Sequence, residues 1–353
     1  MIMVAMAGDM RSLGNVRHGA VRSLALARWL FIVAALIATI VVVGGITRLT
    51  ESGLSIVEWK PVTGILPPLS HAQWQAEFAA YQRIPQYTQV NGPAGMTLAQ
   101  YQSIYFWEWL HRLLGRVIGL AMALPFAWYA WRRALPKGYA PRLFALLALI
   151  CLQGTFGWLM VRSGLEGRVL VAPHWLAIHL VTALVTMAGM IWTALDLRAL
   201  ARRQPAARLT AFSAVTLAML AVQLVYGALM AGWRAGYLAS DWPMMQGRLV
   251  PDGIDWTKGA MALIDDPFLI HFIHRWWAFA VVAVLVVMAR KLRARSARLS
   301  GIAIHTAFGF QILLGIATEM SGMELWLAVL HQLTGAALVA ASIWGAHELG
   351  RRV

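Results

Sequence analysis

Charged side chains are scarce in this sequence. Of its 353 residues, 13% are Asp, Glu, Lys or Arg, and 60% are hydrophobic. Soluble domains carry about 25% charged residues, so the composition excludes an ordinary soluble protein. It indicates an integral membrane protein.

Cysteine is almost absent, since Cys151 is the only one. One cysteine excludes an intrachain disulfide, a Cys-X-X-Cys-His haem attachment and a cysteine-rich metal site. Because Cys151 lies within an apolar run, we expect it to be a small buried side chain.

Acidic residues are half as frequent as basic ones, 15 against 30, which gives a net charge of +15. On one soluble face such an excess would indicate nucleic-acid binding. Here the basic residues form short clusters between apolar runs, where Lys and Arg determine membrane topology. We therefore expect membrane lipid as a partner, and no nucleic acid.

Apolar segments of about 20 residues, the length that crosses a bilayer, occur eight times. Arg and Lys cluster before the first segment, in every second connection and at the end of the chain. The positive-inside rule then places both termini in the cytoplasm and two long loops, 48–102 and 232–267, outside. The predicted spans are 27–47, 103–131, 142–161, 173–196, 209–231, 268–289, 300–319 and 324–346.

The chain is repeated internally. Residues of spans one to four recur in the same order in spans five to eight, and the offset shrinks from 183 to 152 along the chain. Such a repeat predicts an all-α fold of two pseudo-symmetric four-helix bundles, residues 1–205 and 206–353, related by an axis along the membrane normal. The matched pairs include Gly44 and Gly227, Trp59 and Trp242, His111 and His274, Arg112 and Arg275, Gln153 and Gln311, Gly157 and Gly315, and His179 and His331.

Four histidines lie inside predicted spans two, four, six and eight: His111, His179, His274 and His331. Ionisable groups at such positions are costly and indicate function. Each follows the outer start of its span by roughly seven or eight residues, or about 10–12 Å, so each half supplies one pair at similar depth. Two facing imidazoles suit a haem bound on both faces. Zinc would need further ligands, and no Cys or carboxylate set matches in both halves.

The two halves differ three residues before the first histidine of each pair, where Glu108 corresponds to His271. Residues three apart share a helix face, so we expect Glu108 to point toward whatever His111 binds. There it would act as acid, base or electrostatic stabiliser; the alternative is a glutamate paired with Arg112. The difference predicts a reaction site in the first half and a cofactor site in the second, where His271 could tune a nearby haem.

Three arginines, Arg48, Arg112 and Arg275, are candidates for binding haem propionates, with snorkelling to the surface as the alternative. The polar and small residues Gln153, Gln311, Gly157 and Gly315 are interpreted as helix-packing positions. Five further histidines lack repeat partners and are expected in loops, at interfaces or in packing: His18, His71, His174, His305 and His347.

Taken together, these stretches resemble the haem A synthase family over nearly the whole chain. The matching segments are Gly44 to Ser55, Trp59-Lys60-Pro61, Phe106 to Arg112, Asp241 to Gly247, Phe272 to Arg275 and Leu330-His331-Gln332. The spacing of these segments across eight spans makes the resemblance specific.

The resemblance implies an oxidoreductase acting on a CH group, which oxidises the C8 methyl of haem O to a formyl group through a hydroxymethyl intermediate. It implies that His111 and His179 face the iron of the substrate haem, with Glu108 as the essential carboxylate. It also implies that His274 and His331 ligate the iron of a haem b cofactor.

The outer loops contain no cysteine pair, unlike those of some members, so the chain resembles the cysteine-free branch of alpha-proteobacteria and mitochondria. Without a transit-peptide-like extension, we expect a multi-pass protein of a bacterial inner membrane. The electron donor is not indicated, haem O synthase is a candidate partner by pathway only, and a homo-oligomer is left open. The alternative functions are a quinol-linked di-haem b-type electron carrier and, less favoured, a transporter with broken helices and no haem.

Overall fold

The computed structural model describes the backbone of residues 2–351 and the side chains of residues 19–351. The side chains of Arg11, Arg17, His18 and Arg352, which entered the topology and histidine predictions, lie outside the described residues.

Within the described range the protein is helical, and its only β-pairing is the isolated bridge between Met245 and Arg248. Eight helices are long and apolar enough to cross a membrane, which confirms the predicted all-α, eight-span fold. The helices are α1 (Ile2–Leu49), α2 (His71–Tyr81), α3 (Leu98–Trp131), α4 (Tyr139–Leu165), α5 (Pro173–Ala201), α6 (Ala211–Trp233), α7 (Ala262–Asp265), α8 (Pro267–Ala294), α9 (Arg298–Met320) and α10 (Leu325–Gly350). All but α2 and α7 are spans.

Local capping sequences determine where the spans begin. Thr97 and Gln100 form a capping box that starts α3 earlier than the predicted 103. Pro173 and Pro267 occupy the first turns of α5 and α8, where a missing N–H costs nothing. As a result His111 lies more than three turns into α3, and the expectation that it follows its helix start by seven or eight residues is wrong.

Each predicted half packs as four helices around an interior. The helices α1 and α4 both pack against α3 and α5, and α6 and α9 both pack against α8 and α10. The histidine-bearing helices of the first half, α3 and α5, are therefore diagonal partners, whereas α8 and α10 of the second half also pack against each other. The halves meet through α1 with α10, α5 with α6 and α5 with α10, and the predicted boundary at 205/206 falls in the α5–α6 connection.

Repeat partners contact each other where α1 and α6 end. Arg48 donates to the carbonyl of Ala231 at 2.8 Å, and Arg234 pairs with Glu51 at 2.6 Å, both across 183 positions. Glu51 and Arg234 also share a left-handed φ, 54° and 57°. Equivalent residues meet in this way beside the axis of a parallel repeat.

At the opposite end of the bundle a buried carboxylate joins three helices. Asp196 of α5 accepts hydrogen bonds from Arg142 of α4 at 2.7 Å and from His347 of α10 at 3.0 Å. The backbone N–H of Ala207 donates at 3.1 Å to the same Asp196 oxygen that contacts His347. His347 is thus a packing residue, as expected.

The two long loops are folded. The first long loop (residues 50–97) carries α2 and packs Leu54, Ile56 and Tyr81 against Tyr101 and Tyr105 at the start of α3. The second long loop (residues 234–266) carries α7 and a smaller apolar cluster. Each loop packs against the N-terminal part of the span that follows it, α3 or α8, ahead of the paired histidine.

Cys151 is exposed on α4, so its expected burial is wrong. It lies on a surface of α4 that is apolar, as Phe144 and Leu152 are also exposed there. In a spanning helix such a surface meets lipid rather than water.

Candidate functional site

The structure brings the four histidines together as two pairs across the bundle interiors. The ring centroids of His111 and His179 are 6.3 Å apart, and those of His274 and His331 are 6.5 Å apart. Each pair joins two spans of one half, α3 with α5 and α8 with α10.

A glycine on the preceding span makes room for each imidazole. A Cβ added at Gly44, Gly157, Gly227 or Gly315 would lie 2.9–3.0 Å from Cε1 of His111, His179, His274 or His331, respectively. Any larger residue would displace the ring. Gly157 and Gly315 are packing positions, as predicted, and what they pack against is a histidine.

Three of the four histidines also contact a glutamine. Each of these glutamines lies four residues, about one turn, before the glycine on the same span. The amide nitrogen of Gln153 lies 3.0 Å from Nδ1 of His179 and 2.8 Å from its carbonyl oxygen. That of Gln223 lies 3.2 Å and 2.9 Å from the same atoms of His274. Because an amide N–H donates, Nδ1 of each ring is the accepting nitrogen in these contacts.

The third glutamine has a different arrangement. Nε2 of His331 lies 3.2 Å from the Gln311 amide, and Nδ1 lies 3.1 Å from the Gln311 carbonyl oxygen. A metal bond to His331 therefore requires this ring or this amide to turn. Interpreting Gln153 and Gln311 as packing residues alone was incomplete, and Gln223 was missed, although the spacing Gln-X3-Gly occurs before all three histidines.

The donor sets fit a haem held by two imidazoles. A metal–imidazole bond is about 2 Å long and the nitrogen lies about 1 Å from the ring centre, so two rings on opposite sides of one iron have centroids roughly 6 Å apart. Both observed separations agree with this value. Among the described side chains, no three His, Cys, Asp or Glu residues cluster as a site for a bare ion would require.

Glu108 is buried, with 3% of its surface exposed, and both of its oxygens are engaged. Oε2 accepts from the hydroxyl of Ser55 at 2.7 Å and from the N–H of Ile56 at 2.8 Å, and Oε1 pairs with Arg112 at 2.7 Å. The carboxylate thus joins α3 to the first long loop. The pairing with Arg112 is the alternative that the sequence left open.

The second half also contains a buried carboxylate, which the sequence comparison missed. Glu319 of α9 contacts Arg275, and Nε2 of His271 lies 2.9 Å from the same Glu319 oxygen. Glu319 aligns with Val161 in the first half, so a search for matched residues passes over it. The halves therefore differ in which helix carries the carboxylate, not in whether one is present.

The three candidate arginines bind protein groups in this structure. Arg112 donates to the carbonyl of Ile56 at 2.9 Å and Arg275 to that of Met244 at 2.6 Å. Arg48 binds at the contact between α1 and α6 described above. In both halves, the arginine that follows a histidine thus fastens a long loop to its helix.

The Asp241 to Gly247 segment is a turn organised by Asp241. Its carboxylate accepts the N–H groups of Gln246 and Gly247, both at 2.8 Å, and these bonds lower the pKa of Asp241. The turn places the Trp242 ring 5.6 Å from the Arg275 guanidinium. This segment therefore positions the second long loop around Arg275.

The remaining histidines lie apart from the two pairs. His174 pairs with Asp265 at 2.8 Å, which links α5 to the second long loop, and His305 contacts the carbonyl of Gly301 at 2.9 Å within α9. His71 begins α2.

Comparison with known proteins yields one family and many close relatives. The family model described as cytochrome oxidase assembly protein matches residues 27–343. A heme A synthase of Novosphingobium aromaticivorans is 60% identical over 338 residues, covering 94% of this chain and 96% of the relative. Those of Sphingopyxis alaskensis and Bradyrhizobium diazoefficiens are 56% and 43% identical, covering 93% and 92% of this chain and 93% and 91% of theirs.

The glycine contacts give a test with a matched control on one helix. We expect Gly315→Val to displace His331 and to remove most of the haem that the second pair is predicted to hold. Gly309→Val places the same side chain on α9 where nothing lies within 4 Å of an added Cβ, so haem should be retained. Haem per protein, measured by absorption of the purified variants, checks this; equal retention in both would contradict the assigned packing.

Proposed function

Since the chain belongs to the haem A synthase family of cytochrome oxidase assembly proteins, we propose that it oxidises the C8 methyl group of haem O to a formyl group. Family membership confirms the predicted resemblance and the predicted function of haem A synthesis, and the apolar spans make the chain a multi-pass membrane enzyme. Oxidation of a CH group through a hydroxymethyl intermediate is the finer chemistry that we propose.

Each histidine pair is proposed to hold one haem. The observation that carries this is the near-equal separation of the two imidazole pairs, 6.3 and 6.5 Å, in matched bundles. We assign substrate haem O to His111 and His179, and haem b to His274 and His331. Bound iron porphyrin supplies the one-electron and oxygen chemistry that an inert methyl C–H requires.

Glu108 is the proposed proton-handling group of the first half. It lies one turn before His111 on α3, and its Oε2 accepts a hydrogen bond from the hydroxyl of Ser55. Arg112 and the N–H of Ile56 hold the carboxylate in place, and Ile56 belongs to the apolar cluster of the first long loop. These contacts fix the position at which Glu108 would accept or donate a proton.

We place the enzyme in a bacterial inner membrane with both termini cytoplasmic and the long loops outside, from the distribution of Lys and Arg. Lipid around the spans suits the farnesyl tail of haem O. Haem O synthase is a proposed partner because it would supply this substrate, and a further copy of this chain is the second proposed partner.

A di-haem electron carrier is the second candidate, and one observation favours it. Because Glu319 supplies the second half with a buried carboxylate beside Arg275, the difference between Glu108 and His271 is a weaker argument for chemistry in the first half alone. A transporter would be expected to contain broken spans, whereas each described span of this protein is one continuous helix.

Haem extraction separates the enzyme from the carrier. Cells that make haem O are compared with and without this chain, and their haems are separated by chromatography. We expect haem A only where the chain is present. A red protein with two b-type haems and no haem A would support the carrier instead.

Substitution of Glu108 tests its role. We expect Glu108→Gln to keep both haems but to lower haem A yield by about 100-fold or more, the effect of losing a general acid or base. The control is Glu77→Gln, which alters a carboxylate that pairs with Lys60 in the same loop at 2.8 Å. Normal haem A yield from Glu108→Gln would reject a catalytic role.

A further inference from the structure

One part of the first long loop, the loop tip (residues 56–66), extends far along α3. The guanidinium group of Arg116 donates to the carbonyl oxygens of Lys60 and Pro61, each at 2.9 Å. Arg116 follows His111 by five residues on α3. Because side chains of a helix lean toward its N-terminus, these bonds place the loop tip close to the level of His111.

A contact with α4 places the loop tip at the same depth. The ring of Trp59 lies 6.0 Å from that of Trp158, and the preceding residue, Gly157, packs against the imidazole of His179. Arg142 is the first charged residue of α4 and marks one boundary of its apolar stretch. Trp158 lies about 24 Å further along the helix, which is within a hydrocarbon core of about 30 Å.

Three apolar side chains of the loop tip point away from the protein. Trp59, Val62 and Leu66 are 66%, 73% and 65% exposed, respectively. Val117 and Leu120 of α3 are exposed as well, so the apolar surface continues along the span. Adjoining exposed apolar side chains mark an interaction surface, and at this depth the surroundings are lipid.

The backbone of the loop tip meets the condition for irregular structure in a membrane, which is that its polar groups are bonded within the protein. Besides the two bonds from Arg116, Arg112 donates to the carbonyl of Ile56 at 2.9 Å. The indole N–H of Trp109 donates to the carbonyl of Ile65 at 3.1 Å. These three donors lie on one face of α3, which therefore satisfies four carbonyls of the loop tip.

The charged side chains of the loop tip are paired and directed toward the membrane surface. Nζ of Lys60 lies 3.0 Å from Glu58 and 2.8 Å from Glu77. Glu77 belongs to α2, whose Trp74 ring lies 5.0 Å from that of Tyr105, in the N-terminal part of α3. The lysine stem thus extends outward from the loop tip and carries its charge away from the hydrocarbon.

The second long loop reaches a matching depth by a different contact. Trp242, the repeat partner of Trp59, stacks on Phe279 of α8 with ring centroids 6.4 Å apart. Phe279 follows His274 by five residues, the spacing at which Arg116 follows its histidine. Matched tryptophans therefore lie at matched positions along the spans, although one half uses an arginine there and the other an aromatic ring.

We propose that the loop tip is a membrane-embedded surface, inserted into the outer leaflet against lipid acyl chains, and that Arg116 holds it there. The first long loop begins and ends outside the membrane, so the loop tip is a re-entrant segment that bridges α3 and α4. It forms the lipid-facing wall of the first half at the depth of the histidine pair.

Spin-label accessibility tests the insertion in the full-length protein, reconstituted into vesicles of phosphatidylethanolamine and phosphatidylglycerol. A nitroxide is attached at Val62→Cys in a Cys151→Ala background. The label on native Cys151, exposed on the apolar surface of α4, is the lipid reference, and a label at Gln89→Cys, exposed beyond α2, is the water reference. Oxygen concentrates in lipid and a nickel chelate in water. We expect the oxygen-to-nickel collision ratio at Val62 to match that at Cys151 and to exceed that at Gln89 severalfold.

A collision ratio at Val62 equal to that at Gln89 would overturn the insertion. Arg116→Met removes the donors but keeps a long side chain, so the label at Val62 should shift toward the water reference. The matched control is Arg202→Met, which changes an exposed arginine just after α5 and should leave the label unchanged. An unchanged label in folded Arg116→Met would overturn the role of Arg116. Should Arg116→Met fail to fold, the comparison of the three labels in the protein that retains Arg116 decides.

Discussion

The packing of an imidazole against a glycine, repeated four times, is the constraint on which this structure depends. A buried polar ring in a lipid-embedded bundle needs a defined place and defined partners. The glycines open that place and bring adjacent spans close together. Because each ring packs against a glycine of a neighbouring span, the same packing that fixes each ring also determines the separation within each pair.

The long loops depend on this arrangement through the neighbouring charged groups. Arg112 and Arg275 each follow a paired histidine and bind both a loop carbonyl and a buried carboxylate. A shift of either histidine helix would therefore disturb the loop above it. The carboxylate comes from the same helix in one half, Glu108, and from the adjacent helix in the other, Glu319, so one duplicated scaffold provides two chemically different environments.

The sequence predicted the eight spans, the internal repeat and the location of four histidines inside the spans. These predictions follow from the length of the apolar segments and from the cost of buried ionisable groups. The predicted distance of His111 from the start of its helix was wrong, since the Thr97 capping box lengthens α3 beyond the apolar run. The sequence comparison also missed Glu319, because partners on different helices share no sequence offset. Gln223 was within reach of sequence reasoning, as its spacing to Gly227 repeats that of Gln153 to Gly157.

The central claim is that the two pairs hold different haems, substrate in the first half and cofactor in the second. The most direct measurement is the identity of the haem lost from two double variants made in cells that supply haem O. The account predicts that His111→Ala with His179→Ala loses haem O and haem A but keeps haem B, and that His274→Ala with His331→Ala loses haem B. The reverse pattern, or loss of the same haem from both variants, would contradict it.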